Sequence, residues 1–354
     1  MRSARPKPLH LLCGRAMVLY VLDALPKAEL DRAVVVVGHG AERVTKKLME
    51  DGAGLHLEFV EQRQQRGTGD AVAVGLTGLP DDVDDLDDGS DVLVVPGDTP
   101  LLQASTVAEL LAEHRLSGAA CTILTARMAD PTGYGRIVRD GKDDRVTRIV
   151  EQADATPEEQ LIDEINTGIF CFRHNLLVPA LRRLQPDNAQ GELYLTDVVE
   201  VLAEAGHKVV TVVAGDAAET QGVNDRAQLA AAEADLRART NRAWQAQGVT
   251  MVDPAATYVD AGVTLAPDVT LFPGTILQGR TTIGAGVEIG PGCRLVDCTV
   301  GEHTTLEHTI ARRAEIGDDC VVGPYAVLEP GTQLPSGTRT GPFYTGGAAA
   351  GLDG

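Results

Sequence analysis

The chain has 354 residues, of which 44% are apolar and 3% aromatic, and its 51 acidic against 31 basic side chains give a formal charge of −20. This length suggests two domains on a soft prior of roughly 150 residues each, with cores built from Val, Leu, Ile and Ala. The acid excess repels nucleic acid and anionic membrane, no run of about 18 apolar residues is available to span a bilayer, and six Cys without CxxC spacing read as small buried hydrophobes of a reducing cytoplasm.

The opening MRSARPKPLH (Met1–His10) is basic and ends in Pro-Lys-Pro before His10 is reached by way of Leu9. It reads as the tail of a phosphate-binding loop rather than as the beginning of a domain. With no apolar stretch behind it, it is not expected to be a signal peptide. From Val34 to about Val213, short β-branched runs alternate with amphipathic segments. Val34–Val37, Leu55–Val60, Val92–Val95 and Cys121–Ala126 read as strands, and Ser105–Arg115 and Glu192–Ala205 as helices. This alternation predicts an α/β domain with a mostly parallel sheet covered on both faces, whose ligands sit at the carboxyl ends of the strands.

Candidate chemistry lies in the connections. His39, after VVVVG, reads as a loop-lining residue. In EQRQQRGTGDA (Glu61–Ala71), Gly67-Thr68-Gly69 opening a helix offers bare N–H groups and a positive dipole end, and Gln62 can read a base edge; a plain loop with Thr68 as cap is the alternative. DDVDDLDDGSD (Asp81–Asp91) resembles a calcium loop, but Leu86 stands where an oxygen ligand is needed, so it reads as a solvated acidic loop. VVPGDTPLL (Val94–Leu102) ends a strand with Gly97-Asp98: a carboxylate suited to holding Mg²⁺ against phosphates, or a turn capped by Asp98. DPTGYGRIV (Asp130–Val138) is a strand-entry loop against a ligand or a Gly-rich hairpin turn. Glu151 in IVEQ and Asn166 in EINTGIF are single polar residues in apolar runs, candidates for hydrogen bonds to a sugar or members of a solvated strand face. Asn224 in GVND has a helix cap as its simplest role.

A long Ala- and Leu-rich helix of roughly 22 residues follows, about 33 Å long at the usual rise, with Asn224 or Asp225 at its start and Gly248 at its end. Then the period changes. Leu265, Leu271, Leu277, Ile283, Ile289 and Leu295 recur at every sixth position; the rhythm slips near Val300 and resumes at Ile316, Val322, Leu328 and Leu334. Four residues after most of these stands a compact side chain: Thr275, Thr281, Val287, Cys293, Cys320, Ala326, Thr332 and Thr338. This hexapeptide pattern predicts a parallel β-helix of roughly four coils. The domain reading is therefore 1–223 for the α/β domain, 224–248 for the connecting helix, 249–345 for the β-helix and 346–354 for a disordered tail.

In order, PK, GTG, GD, PTGYGRI, VE, EINTGIF, DNAQGELYLTD (Asp187–Asp197), GVND and the hexapeptide repeats resemble the bacterial bifunctional N-acetylglucosamine-1-phosphate uridylyltransferase and glucosamine-1-phosphate acetyltransferase family, from Arg2 to about Phe343. The resemblance implies a Rossmann-like nucleotidyltransferase domain, a connecting helix and a short left-handed parallel β-helix. It implies attack by N-acetylglucosamine 1-phosphate on the α-phosphorus of UTP, with pyrophosphate leaving, Mg²⁺ as cofactor and the product used in cell-wall precursor synthesis. Residue by residue, Asp98 and Asn224 resemble the metal ligands and Lys7 the catalytic, phosphate-contacting lysine. Gln62, Gly67 and Thr68 resemble the uracil and nucleoside contacts; Gly97 would let substrate approach the backbone beside Asp98; Gly135, Glu151 and Asn166 resemble the sugar pocket. A cytoplasmic homotrimer, assembled through the β-helix, is implied as well.

Two departures accompany the likeness. The family opens with an apolar strand and a glycine-rich phosphate cradle with its arginine, directly before Pro-Lys; here Met1 matches the last residue of that motif. A start placed too late is expected, with a relic lacking turnover as the other reading, because losing a central strand exposes apolar faces and ladder groups. At the other end Glu329 stands where the family's second site has Arg, and no acetyltransferase activity is expected. A related sugar-1-phosphate nucleotidyltransferase, or a non-catalytic oligomer, remains as an alternative function.

Overall fold

A computed structural model describes residues 3–25, 30, 32–51, 55–79 and 90–347; the acidic loop at 81–89 and most of the expected tail lie outside them. The chain forms two compact units. One contains residues 1–10 and 17–225, the other residues 11–16 and 226–354. In chain order the described elements are a hairpin (β1 Leu11–Leu12, β2 Arg15–Ala16), α1 (Met17–Ala24), β3 (Ala33–Val37), α2 (Ala41–Asp51), β4 (Leu57–Glu61), α3 (Thr68–Leu76), β5 (Asp91–Val94), α4 (Ala104–Ser117), β6 (Cys121–Arg127), β7 (Arg136–Arg139), β8 (Val146–Val150), β9 (Glu164–Arg173), α5 (His174–Leu181), α6 (Asp197–Glu204), β10 (Val209–Val213), α7 (Arg226–Ala246) and a series of short strands from Thr250 to Gly346.

In the first unit, β10-β6-β9-β7-β8 form one sheet with β5 also paired to β9. Strands β5, β6, β7 and β10 share a direction. The antiparallel β9 is inserted among them, so among the described residues the only parallel neighbours in this sheet are β10 and β6. Side chains of β6 and β9 alternate between two cores, as the period of a strand requires. Ile123, Phe170 and Phe172 pack with Leu177, Val198 and Leu202 of α5 and α6; Leu124, Ile169 and Cys171 pack with Val107, Leu110 and Leu111 of α4. Both faces are thus covered, as expected. Strands β3 and β4 pair in parallel with each other and with no other described strand. Val34, Val35 and Val36 are only half-buried, the exposure expected of an apolar strand lacking a neighbour.

The helix read over Glu192–Ala205 begins later, at Asp197. Residues 193–196 are pinned by long-range bonds: Leu193 N–H donates to Arg66 O (2.7 Å), Gly69 N–H to Leu193 O (2.8 Å) and Leu195 N–H to Thr68 Oγ1 (2.9 Å). Groups committed to partners across the fold cannot also close helical turns.

In the second unit the hairpin, counted with the first domain from sequence, is held by its backbone. Cys13 N–H donates to Glu233 Oε2 of α7 (2.8 Å), and Cys13 O accepts from Ala261 N–H (2.9 Å). Helix α7 ends at Ala246, and Gly248, two residues on, lies in the left-handed region, φ 94°. The short strands form three parallel ladders of five, six and five strands, the faces of the expected β-helix. The second residue of each short strand points inward, and in every one but Thr345–Gly346 it carries an apolar side chain. The compact residues fill the corners: Thr275, Thr281, Val287, Cys293 and Cys320 have no solvent exposure. There are about five coils rather than four. Inward residues run Leu295, Val300, Leu306, Ala311, Ile316, so three turns in this stretch are one residue short and hide a coil from a six-residue count. Left-handed Asp297, His308 and Arg313 sit in those three turns. Outside the corners, His308 stacks on Tyr325 (ring centroids 5.0 Å) and Tyr325 on Phe343 (5.3 Å). Gly346 pairs with Leu328, so order extends into the expected tail. All six Cys are free and buried, and no described helix is long and apolar enough to cross a membrane.

Candidate active site

Three groups of sequence-predicted residues assemble in the first unit. The first is a cation cluster. Pro6 leads into a short 3-10 turn, Lys7–Leu9, and Lys7 Nζ donates to the Asp98 carboxylate and to Asn224 Oδ1, the latter at 2.7 Å. Asp98 lies in the turn leaving β5, and its carbonyl accepts from Val223 N–H at 2.9 Å. That bond brings the GVND segment alongside the strand end, so residues 126 positions apart in the chain share one ammonium. A carboxylate oxygen and an amide oxygen are hard donors of the kind Mg²⁺ takes, and both already face a cation. Gly97 is exposed, with no atom closer than 3.9 Å to the place of a Cβ. Burial first, and then the Asp98 carboxylate, push the Tyr134 hydroxyl pKa up.

The second group is Gly135, Glu151 and Asn166. Gly135 precedes β7, its carbonyl accepts from Asn166 N–H at 2.9 Å, and a Cβ there would lie 3.2 Å from Glu151 Oε2. Glu151 leaves β8. Burial pushes its pKa up, although Thr196 Oγ1 donates to Oε1 (3.1 Å) and works the other way. Asn166 spends its Oδ1 on Gly168 N–H at 3.0 Å. The result is a carboxylate, an amide nitrogen and a hydroxyl gathered in one place, polar groups of the kind that bind a polyhydroxylated ring.

The third group opens α3. Gly67 has φ 113° and a Cβ would lie 2.4 Å from Leu193 O, so glycine is demanded by conformation and by space. Thr68 Oγ1 accepts from Leu195 N–H rather than capping α3. Gln62 Nε2 donates to Asp70 Oδ2 at 2.8 Å, leaving its Oε1 without a hydrogen bond among the described residues. The second and third groups meet through residues 193–196, which contact both.

Four contributors escaped the sequence reading. Asp70 is 5% exposed, is paired with Arg66 (2.6 Å) and orients Gln62; the i, i+4 spacing of Arg66 and Asp70 was its signal. Thr196 and Tyr194 lie in the segment read as helix, which hid them. Arg136 closes the PTGYGR stretch, and nothing local marks it as buried. His39 is exposed in a turn.

Residues 2–247 match the nucleotidyl transferase family model. The chain is 46% identical over 343 residues to the bifunctional protein GlmU of Streptomyces avermitilis, covering 97% of this chain and 70% of the relative. It is 47% identical over 345 residues to the protein of the same name from Mycolicibacterium vanbaalenii (97% and 69%) and 44% identical over 345 residues to that of Mycobacterium bovis (97% and 68%).

Proposed function

The chain belongs to the bifunctional GlmU family of nucleotidyl transferases, and from that premise we propose that it transfers uridylyl from UTP to N-acetylglucosamine 1-phosphate, releasing pyrophosphate and UDP-N-acetylglucosamine for cell-wall precursor synthesis. The observation that carries the reading is Lys7 Nζ shared between Asp98 and Asn224, with Gly135, Glu151 and Asn166 gathered in the same unit. A phosphate oxygen of the sugar phosphate forms the new bond to the α-phosphorus as the bond to the pyrophosphate oxygen breaks. No protein nucleophile is needed, and catalysis is positioning plus charge neutralisation. Gln62, Gly67 and Thr68 bind the nucleoside, with the spare Gln62 Oε1 accepting from the base edge. Gly135, Glu151, Asn166 and Thr196 orient the sugar, and Lys7 draws the phosphates toward the reacting centre. Asp98 and Asn224 would hold Mg²⁺, which when bound supplies Lewis-acid neutralisation of the phosphates.

Pyrophosphate release should require UTP, N-acetylglucosamine 1-phosphate and Mg²⁺ together. Asp98→Ala should lower the rate by about two orders of magnitude or more, the scale of losing one charge-stabilising group. An undiminished rate in that variant rejects the role assignment. Preference for glucose 1-phosphate or another nucleotide in a substrate panel moves the protein to the related sugar-nucleotide activity. The β-helix supports a homotrimer, which light scattering measures, and six buried free thiols suit the cytoplasm.

A further inference from the structure

Among the described residues Arg136 is the largest fully buried side chain, 1% exposed, at the start of β7. A buried guanidinium is normally held by a carboxylate. Here none lies within ion-pair distance among the described residues; Asp130 helps only at longer range, and burial pushes the pKa down. The guanidinium fork is spent on neutral oxygens instead. One Nη donates to the Tyr134 carbonyl, and the other donates to Gln152 Oε1 at 2.8 Å. The Gln152 oxygen also accepts from Gly133 N–H at 3.1 Å. Arg136 Nε has no hydrogen-bond partner. A desolvated charge with an orphan donor is a costly way to stabilise a fold, so its position asks for a return elsewhere.

The bonds lead to Gly135 and Glu151 of the proposed sugar site. Gln152 adjoins Glu151, and the Tyr134 carbonyl immediately precedes Gly135. The fork therefore spans the two walls that meet where a Gly135 Cβ would touch Glu151 Oε2. We infer that Arg136, through Tyr134 O and Gln152, is a positioning residue that sets the gap between the Gly133–Gly135 turn and Glu151 and thereby tunes affinity for the sugar phosphate; this rests on the sugar-binding role proposed above. Lys carries the charge but cannot reproduce a two-pronged planar donor.

The test is calorimetric titration with N-acetylglucosamine 1-phosphate, well below the melting temperature of each protein, on the wild type, Arg136→Lys, Gln152→Ala and Gln152→Glu. Arg136→Lys and Gln152→Ala should weaken binding about tenfold to a hundredfold, the scale of losing a charge-assisted hydrogen bond. Gln152→Glu, which keeps an oxygen for both donors, should bind within a few-fold of the wild type. If Arg136→Lys does not fold, Gln152→Ala decides the matter. Variants that melt earlier yet bind as tightly as the wild type show a purely structural Arg136 and overturn the inference. A wild type that binds no sugar phosphate overturns the parent reading, and this inference with it.

Discussion

Asp197 offers a prediction whose sign can be worked from the structure. It is the first residue of α6, half-buried, and its pKa is raised from 3.8 to about 6, by burial first and then by the charges of Glu200, Glu151 and Asp154. Because the folded state holds the proton more tightly than the unfolded chain, the ionised carboxylate works against folding. The penalty is absent below the unfolded value and is fully present once the pH exceeds about 6. Taken at face value, a shift of this size corresponds to about 3 kcal/mol. A half-exposed group is screened by water, and the α6 N-terminus favours an anion, so about 1 kcal/mol is the figure to expect. Asp197→Asn should therefore stabilise the first unit by about 1 kcal/mol at pH 7.5, and the gain should vanish as the pH falls from 6 towards 4. Urea unfolding at both pH values measures it, with hydrogen exchange over residues 197–204 reporting on the helix itself. An Asn variant that is less stable at pH 7.5, or whose advantage does not change with pH, refutes the reasoning.

Two further outcomes follow from the geometry. Gly67→Ala puts a Cβ 2.4 Å from Leu193 O at a φ of 113°; strain of about 1–3 kcal/mol, with the clash added, should lower the melting temperature and weaken nucleotide binding by displacing residues 193–196, measured by thermal denaturation and by UTP titration. Leu277→Ala removes a fully buried side chain from the β-helix core and should cost about 3–5 kcal/mol, seen as a lower urea midpoint for the second unit with sugar-phosphate binding retained.

Much of this was legible in the sequence where local pattern and tertiary environment agree. Cys121–Ala126 is a run of apolar and β-branched residues with a core on each face, and its strand was read to within one residue at its end. The hexapeptide phase was legible because the inward position repeats. It misled only between Leu295 and Ile316, where three of the steps between inward residues are five residues long, which composition does not announce. Glu192–Ala205 failed for a different reason. Its helical periodicity is real, but the backbone of residues 193–195 is claimed by Arg66, Thr68 and Gly69, partners more than 120 positions away. Lys7, Asp98 and Asn224, singled out by their motifs, lie within hydrogen-bond distance of one another through the lysine. Asp70 and Arg136 did not emerge, because burial of a charge is a property of the packed fold and not of its neighbours in the chain.

The column of rings formed by His308, Tyr325 and Phe343 has a mechanical consequence. It joins three successive coils on the outer surface, beyond the ladder bonds that every coil makes. Peeling the final coil away must separate a ring pair worth about 1 kcal/mol in addition to breaking its ladder. These coils therefore come apart as a block, and glycine-cornered stretches such as Gly274 over Gly292, which have no such bolt, are where thermal breathing of the solenoid should begin.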